Sequence, residues 1–247
     1  MKYIIMNKQP IFNKKNNPAK PTVNKLFWLL ALTSLFDCLL LGYRLNYISF
    51  DYSLFTSISD IVTFRGIPTF FFLVWNLFLA WIPYLVALSL KRLKKSKIII
   101  SVVLILWLLF FPNSPYIITD LLHLQHRPPV PMWYDVMLFF SFAWTGLILG
   151  FASLMEVQNF LEKRFSTWQV QSFVLGALSL CGFGVFVGRF QRWNSWDVLV
   201  NPFQLLFDMV EVLLHPTAYL GTFGLTIVLS GMMILGYYTL RNLNRLS

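Results

Sequence analysis

Charge is scarce in this chain. Of its 247 residues only 12% are Asp, Glu, Lys or Arg, whereas 57% are hydrophobic, and the mean hydropathy is +0.64. That composition is too apolar for an ordinary soluble domain, because water could not solvate the surface it would leave. Acidic residues are the scarcest charge, 10 against 20 basic ones, for a net charge of +10. The excess does not point to nucleic acid, which needs a basic face on a folded soluble domain. Here Lys and Arg sit between apolar runs. Cysteine is almost absent: Cys38 and Cys181 both lie inside apolar runs and read as small buried hydrophobes. A disulfide framework and a thiolate metal site are thereby excluded. Also missing are a G-x-S-x-G elbow, an H-E-x-x-H helix and any cofactor fingerprint. No repeat relates the two halves, which weakens an inverted-repeat transporter.

What is present is a series of long apolar runs. A hydrocarbon core of about 30 Å takes about 20 helical residues to cross. Five runs qualify, near 26–45, 69–90, 134–155, 169–188 and 217–240. A sixth starts at Ile98 and meets Pro112 early, so it spans the core only if the chain continues to about residue 118. The expected fold is all-α: a polytopic transmembrane bundle of about six spans, forming one domain over 25–247. Ahead of it, residues 1–24 are mostly polar and read as a disordered basic cytoplasmic tail with no cleaved signal peptide.

Orientation follows from the basic residues, which favour cytoplasmic loops. Six lie in the tail, five between Lys91 and Lys97, two at Lys163 and Arg164, and two at Arg241 and Arg245. Only Arg44, Arg65, Arg127, Arg189 and Arg192 fall on the other side. Both termini are therefore expected in the cytoplasm. Asp51, Asp60, Asp120, Asp135, Asp197, Asp208, Glu211 and all three histidines (His123, His126, His215) then face outward. Asp37 alone sits deep in a span. An ionisable residue at that depth costs about 2.5–3.5 kcal/mol on insertion scales, so it is expected to face the protein interior.

Within the apolar runs, Gly146 with Gly150 and Gly184 with Gly188 make two G-x-x-x-G patterns, which let backbones approach. In Phe111-Pro112-Asn113-Ser114-Pro115-Tyr116 the prolines remove donors and bias Phe111 and Ser114 away from helix, so the helix is expected to break there. The break is either a turn that closes the third span or a discontinuity that lines a polar cavity. Asp120 and His123, three apart, share a helical face and are the candidate metal ligands or proton relay; a helix cap is the plainer explanation. Asp135 suits a helix start and Arg189 with Arg192 a helix end. Arg192-Trp193-Asn194-Ser195-Trp196-Asp197 interleaves two indoles with polar groups, as binding surfaces and interfacial anchors both do. Beyond it, residues 202–214 read as an amphipathic interfacial helix, with Gln204, Asp208, Glu211 and His215 as its polar stripe.

Four stretches together carry a resemblance: Phe111 to Leu121, Trp133-Tyr134-Asp135, Ser141 to Gly146, and Gly188 to Asp197. Over about Trp107 to Pro216 the chain resembles the bacterial multi-pass family known as domain of unknown function 1361. The resemblance implies a bacterial membrane protein and supplies neither an activity nor catalytic residues; the expected location is the plasma membrane.

Three function classes stay open. An enzyme at the outer leaflet would act on a lipid or envelope precursor, with Asp120, Asp135 or Asp197 as acid or base, His123 as proton carrier or metal ligand, and Arg189 with Arg192 on an anionic group. A small-molecule or ion transporter would use the broken third span and Asp37. A non-catalytic partner would hold another membrane protein on its Trp-rich outer surface. Because consecutive helices pack as neighbours, Asp120, His123, Asp135, Arg189, Arg192, Asn194 and Asp197 are expected to converge in one outward polar pocket.

Overall fold

A computed structural model describes residues 23–47, 70–93, 96–125, 129–215 and 219–246. Residues 1–22 of the basic tail and the outer-segment residues Asp51, Asp60, Arg65, His126 and Arg127 lie outside them. Among the described residues there is no strand. The long helices are α1 (Val23–Tyr47), α2 (Phe71–Ser89), α3 (Lys97–Phe110), α4 (Met132–Leu161), α5 (Thr167–Phe190), α6 (Pro202–Leu214) and α7 (Leu220–Leu246). Six helical segments are long and apolar enough to cross a membrane, the third running from Lys97 to His123. The chain is thus an all-helical, multi-pass bundle.

The bundle is built around α4. On one side Leu138, Phe139, Phe142 and Leu149 of α4 meet Leu30, Leu41 and Leu45 of α1 and Leu73, Leu77 and Tyr84 of α2. On the other, Phe151, Leu154 and Val157 join Trp107 of α3, Val174, Leu178 and Cys181 of α5, and Met233 and Tyr237 of α7. The outside is apolar: Trp28, Leu32, Phe36, Leu39, Ile105, Leu235 and Phe203 are all exposed. Such a surface suits hydrocarbon and would be an aggregation liability in water. Cys38 lies on this exposed surface, unlike buried Cys181, so the expectation that both are buried is corrected for Cys38. Position 38 follows the inward-facing Asp37 by one residue, about 100° around the helix.

The end of the bundle that holds Val23 and Leu246 is tied by polar contacts: Lys91 with Glu156 at 2.5 Å, and Arg241 with Glu162 at 2.6 Å. Tyr237 donates to Gln158, which is itself buried. These groups carry α4 past its apolar run, giving a helix of 30 residues, about 45 Å long.

The α-helix of the third span ends at Phe110, ahead of the prolines, but the chain does not turn away and runs on in helical form to His123. Phe111 (φ −55°, ψ −39°) and Pro112 (φ −61°, ψ −22°) keep helical dihedrals, and a helical turn at Asn113–Tyr116 leads into a 3₁₀ helix at Ile117–His123. Proline removes donors here, yet the neighbouring carbonyls are served by side chains. Leu109 O accepts from Ser195 Oγ at 3.2 Å, and Phe110 O accepts from Asn113 Nδ2 at 2.9 Å. Four glycines make room for this tightened segment. A methyl at Gly146 would sit 2.6 Å from Ser114 O and one at Gly150 3.0 Å from Ser114 Cβ; at Gly184 it would sit 2.6 Å from Pro112 and at Gly188 3.3 Å from Tyr116. Both G-x-x-x-G patterns therefore receive the proline segment of the third span, α4 from one side and α5 from the other.

Candidate functional site

At the far end of the bundle, opposite Val23 and Leu246, the polar residues separate into three groups. The first joins three spans. Asp120 is fully buried and uses both oxygens: Oδ2 accepts from Asn76 Nδ2 of α2 at 2.7 Å, and Oδ1 accepts from Arg189 Nη1 of α5 at 3.0 Å. Arg189 also donates to Thr119 O at 2.6 Å and to the Tyr116 hydroxyl at 3.3 Å, with its guanidinium 5.3 Å from the Tyr116 ring centre. A carboxylate and a guanidinium this enclosed survive in an apolar interior because each meets its complement and the remaining donors find oxygens.

The second group is independent of the first. Asp135 does not join Arg189 or Arg192; it is held by Arg44 of α1, with Nε at 2.6 Å from Oδ1 and Nη2 at 3.1 Å from Oδ2. Both side chains are about 2% exposed or less, and the Arg44 guanidinium lies 4.1 Å from the centre of the Phe70 ring. One helical turn or more deeper, buried Asp37 of α1 accepts a hydrogen bond from Ser141 of α4.

The third group is the turn after α5. Arg192 is exposed and left-handed at φ 61°, the place after a helix end that glycine usually fills. Its conformation turns the chain so that Trp193 N–H returns to Val187 O at 3.4 Å. Asp197 Oδ2 accepts from Asn194 N at 2.6 Å and Asn194 Nδ2 at 3.3 Å. Trp193 Nε1 donates to Asp208 of α6 at 2.9 Å, and Gln204 donates to the other oxygen of Asp208. His123 is exposed, edge-on to the Phe72 ring at 5.8 Å. Asp120 and Arg189 are thus brought together, as are Asn194 and Asp197; Asp135 pairs instead with Arg44, Arg192 is exposed, and His123 meets the Phe72 ring. Among the described residues, no group of three or more His, Cys, Asp or Glu could hold a metal ion.

Between the first and third groups lies a cavity of about 320 Å³. Its rim carries Trp75, Asn76, Asn113, Tyr116, Trp193, Asn194, Ser195 and Trp196, and its deeper wall Leu79, Leu108, Leu180 and Phe183. Depth follows from chain direction: α5 runs toward this end, so Leu180 lies ten residues, about 15 Å, below Phe190. Leu180 is half-exposed on the apolar outside of the bundle, so the cavity opens sideways as well as at its rim. None of the lining residues is charged.

Several of these residues escape a reading of the sequence. Asn76 is a lone amide in an apolar run, and that isolation is the signal that it has a buried partner. Arg44 reads in the sequence only as an outer-loop charge. Ser141 and Tyr116 give no signal of their own.

A family profile described as Protein of unknown function (DUF1361) matches residues 75–234, which extends past both ends of the stretch that carries the resemblance. Neither a curated protein nor a solved structure matches the chain.

Proposed function

The chain belongs to the DUF1361 family, and on that premise we propose that it is a bacterial plasma-membrane protein that binds a lipid or another amphiphilic envelope component in the cavity between α2, the third span and α5. The basic residues at the opposite end support placing the cavity in the outer half of the membrane, with both termini in the cytoplasm. The observation that carries the reading is the gradient within the cavity. Its deep wall is leucine and phenylalanine, its rim is amide, hydroxyl and indole, and its side is open at Leu180. A chain-bearing molecule with a polar head fits that gradient, and ligand sites of this kind are apolar with a few placed polar groups.

The arrangement favours binding over acid–base chemistry. Tyr116 is the one titratable side chain of the lining, and Asp120 behind it is already committed to Asn76 and Arg189. Transport through Asp37 draws no support from the cavity, whose lining does not include it.

The test places a photoreactive residue in the cavity, Phe183→p-benzoylphenylalanine, and counts lipid crosslinked in native membranes. Leu180→Trp fills the open side from a half-exposed position and should abolish that crosslink while leaving the melting temperature unchanged. A crosslinker at Leu235, on the exposed face of α7, reports bulk lipid and should not respond. Equal yields at both positions, both indifferent to Leu180→Trp, would overturn the reading.

A further inference from the structure

We infer that the cavity selects an amphiphile whose head is uncharged and rich in hydroxyl or amide groups, as in a glycosyl lipid, over one that carries a phosphate; this rests on the lipid-binding reading above. The argument starts from charge. Twenty residues line the cavity and none is Lys, Arg or His. Of the two arginines nearest in sequence, Arg192 is exposed and is not part of the lining. Arg189 is 11% exposed and spends its guanidinium on Asp120, the Thr119 carbonyl and the Tyr116 hydroxyl. Its charge is cancelled by Asp120. A phosphate entering this space would lose water and meet no cation, which is costly for any ion in an apolar wall. Recognition of phosphate ordinarily uses a free Arg or Lys.

What the rim does offer is neutral and directional. Asn76, Asn113 and Asn194 each donate from the amide nitrogen within the protein and keep an amide oxygen as acceptor, Ser195 and Tyr116 each add a hydroxyl, and three indoles stand around them. Trp75 and Trp196 meet nearly edge to face, their ring centres 6.5 Å apart, so together they form a corner of aromatic surface and not a flat stack. Asn113 and Ser195 are fixed to each other at 3.0 Å and to the backbone of the third span, so they are held in place before a ligand arrives. Preorganised amides and hydroxyls beside aromatic faces suit a ring of hydroxyl-bearing carbons, which has an apolar face and a polar edge.

The experiment is competition for the Phe183 crosslink in phosphatidylcholine nanodiscs by three probes with the same twelve-carbon tail: dodecyl maltoside, dodecyl phosphate and dodecyltrimethylammonium, each below its micellar concentration. Dodecyl maltoside is expected to suppress the crosslink at a concentration at least about tenfold below either charged probe, a difference of about 1.4 kcal/mol. Trp196→Leu should erode that advantage by roughly threefold to tenfold, the size of one aromatic contact, and leave the charged probes unchanged. Equal competition by all three probes would overturn the head-group inference and leave the lipid-binding reading standing, and so would a preference for the phosphate. If no probe competes and Leu180→Trp has no effect on the crosslink, both readings fall.

Discussion

Arg44 and Asp135 lie 91 residues apart in the chain and meet through two hydrogen bonds inside the bundle, clamping the end of the first span to the start of the fourth. Removing either partner leaves a buried charge without its complement. Arg44→Ala and Asp135→Ala should therefore each destabilise the bundle by about 3–5 kcal/mol, whereas Arg44→Met with Asp135→Leu should recover most of the loss. Unfolding in mixed micelles measures all three. A double variant as damaged as the worse single one would refute the account.

The Asp120 group makes a contrasting prediction, because its neighbours on the α5 turn are not part of it. Asp120→Ala and Arg189→Ala should be strongly destabilising and non-additive, with a coupling energy of about 1–3 kcal/mol in a double-mutant cycle. Arg192→Ala removes an exposed charge and should change stability by no more than about 0.5 kcal/mol. A large coupling between Arg192 and Asp120 would mean that the polar groups converge as the sequence suggested.

Glycine substitutions separate contact from propensity. Gly146→Ala and Gly184→Ala place a methyl 2.6 Å from Ser114 O and from Pro112, so the third span must shift, at a cost of about 1–3 kcal/mol. Gly176 lies on the same helix as Gly184 and has nothing within 4 Å. Gly176→Ala should be neutral or gain up to about 1 kcal/mol from helix propensity. Thermal denaturation in detergent ranks the three.

At Arg192 the backbone and not the charge is the quantity to test. A left-handed residue with a side chain costs roughly 1–2 kcal/mol. Arg192→Gly should raise the melting temperature, and Arg192→Val should lower it. If Arg192→Gly is the more harmful of the two, the guanidinium makes a contact that matters more than its φ of 61°.

Topology is open to a direct check. Reporters that work only in the cytoplasm should be active after Lys163 and Ser247, and a reporter at Arg127 should be active only outside. An external signal at Ser247 would reverse the assignment of the cavity to the outer half.

The spans were legible because hydrocarbon thickness imposes a length of apolar sequence that few other constraints imitate. In α6, Phe203, Leu206, Phe207 and Leu214 are exposed along one side, beside a polar stripe. Pairing was not legible. Asp135 could have met Arg44, Arg189 or Arg192, and charge alone does not rank them; the choice is set by α1 packing on α4. The proline segment was half legible: Pro112 and Pro115 mark the end of the α-helix, whereas the Ser195 hydroxyl, 82 residues from its partner Asn113, and the four facing glycines that let the segment run on lie elsewhere in the chain. The cavity was invisible for a different reason. Its apolar wall is written in the same residues as every lipid-facing surface.

The clamp between the first and fourth spans also orders events during synthesis. Asp37 and Arg44 are both on α1, and the side chains that hydrogen-bond them, Ser141 and Asp135, belong to α4. About 90 residues must be translated between the two helices, on the order of ten seconds at typical elongation rates. Until then the first span carries a carboxylate and a guanidinium whose partners do not yet exist.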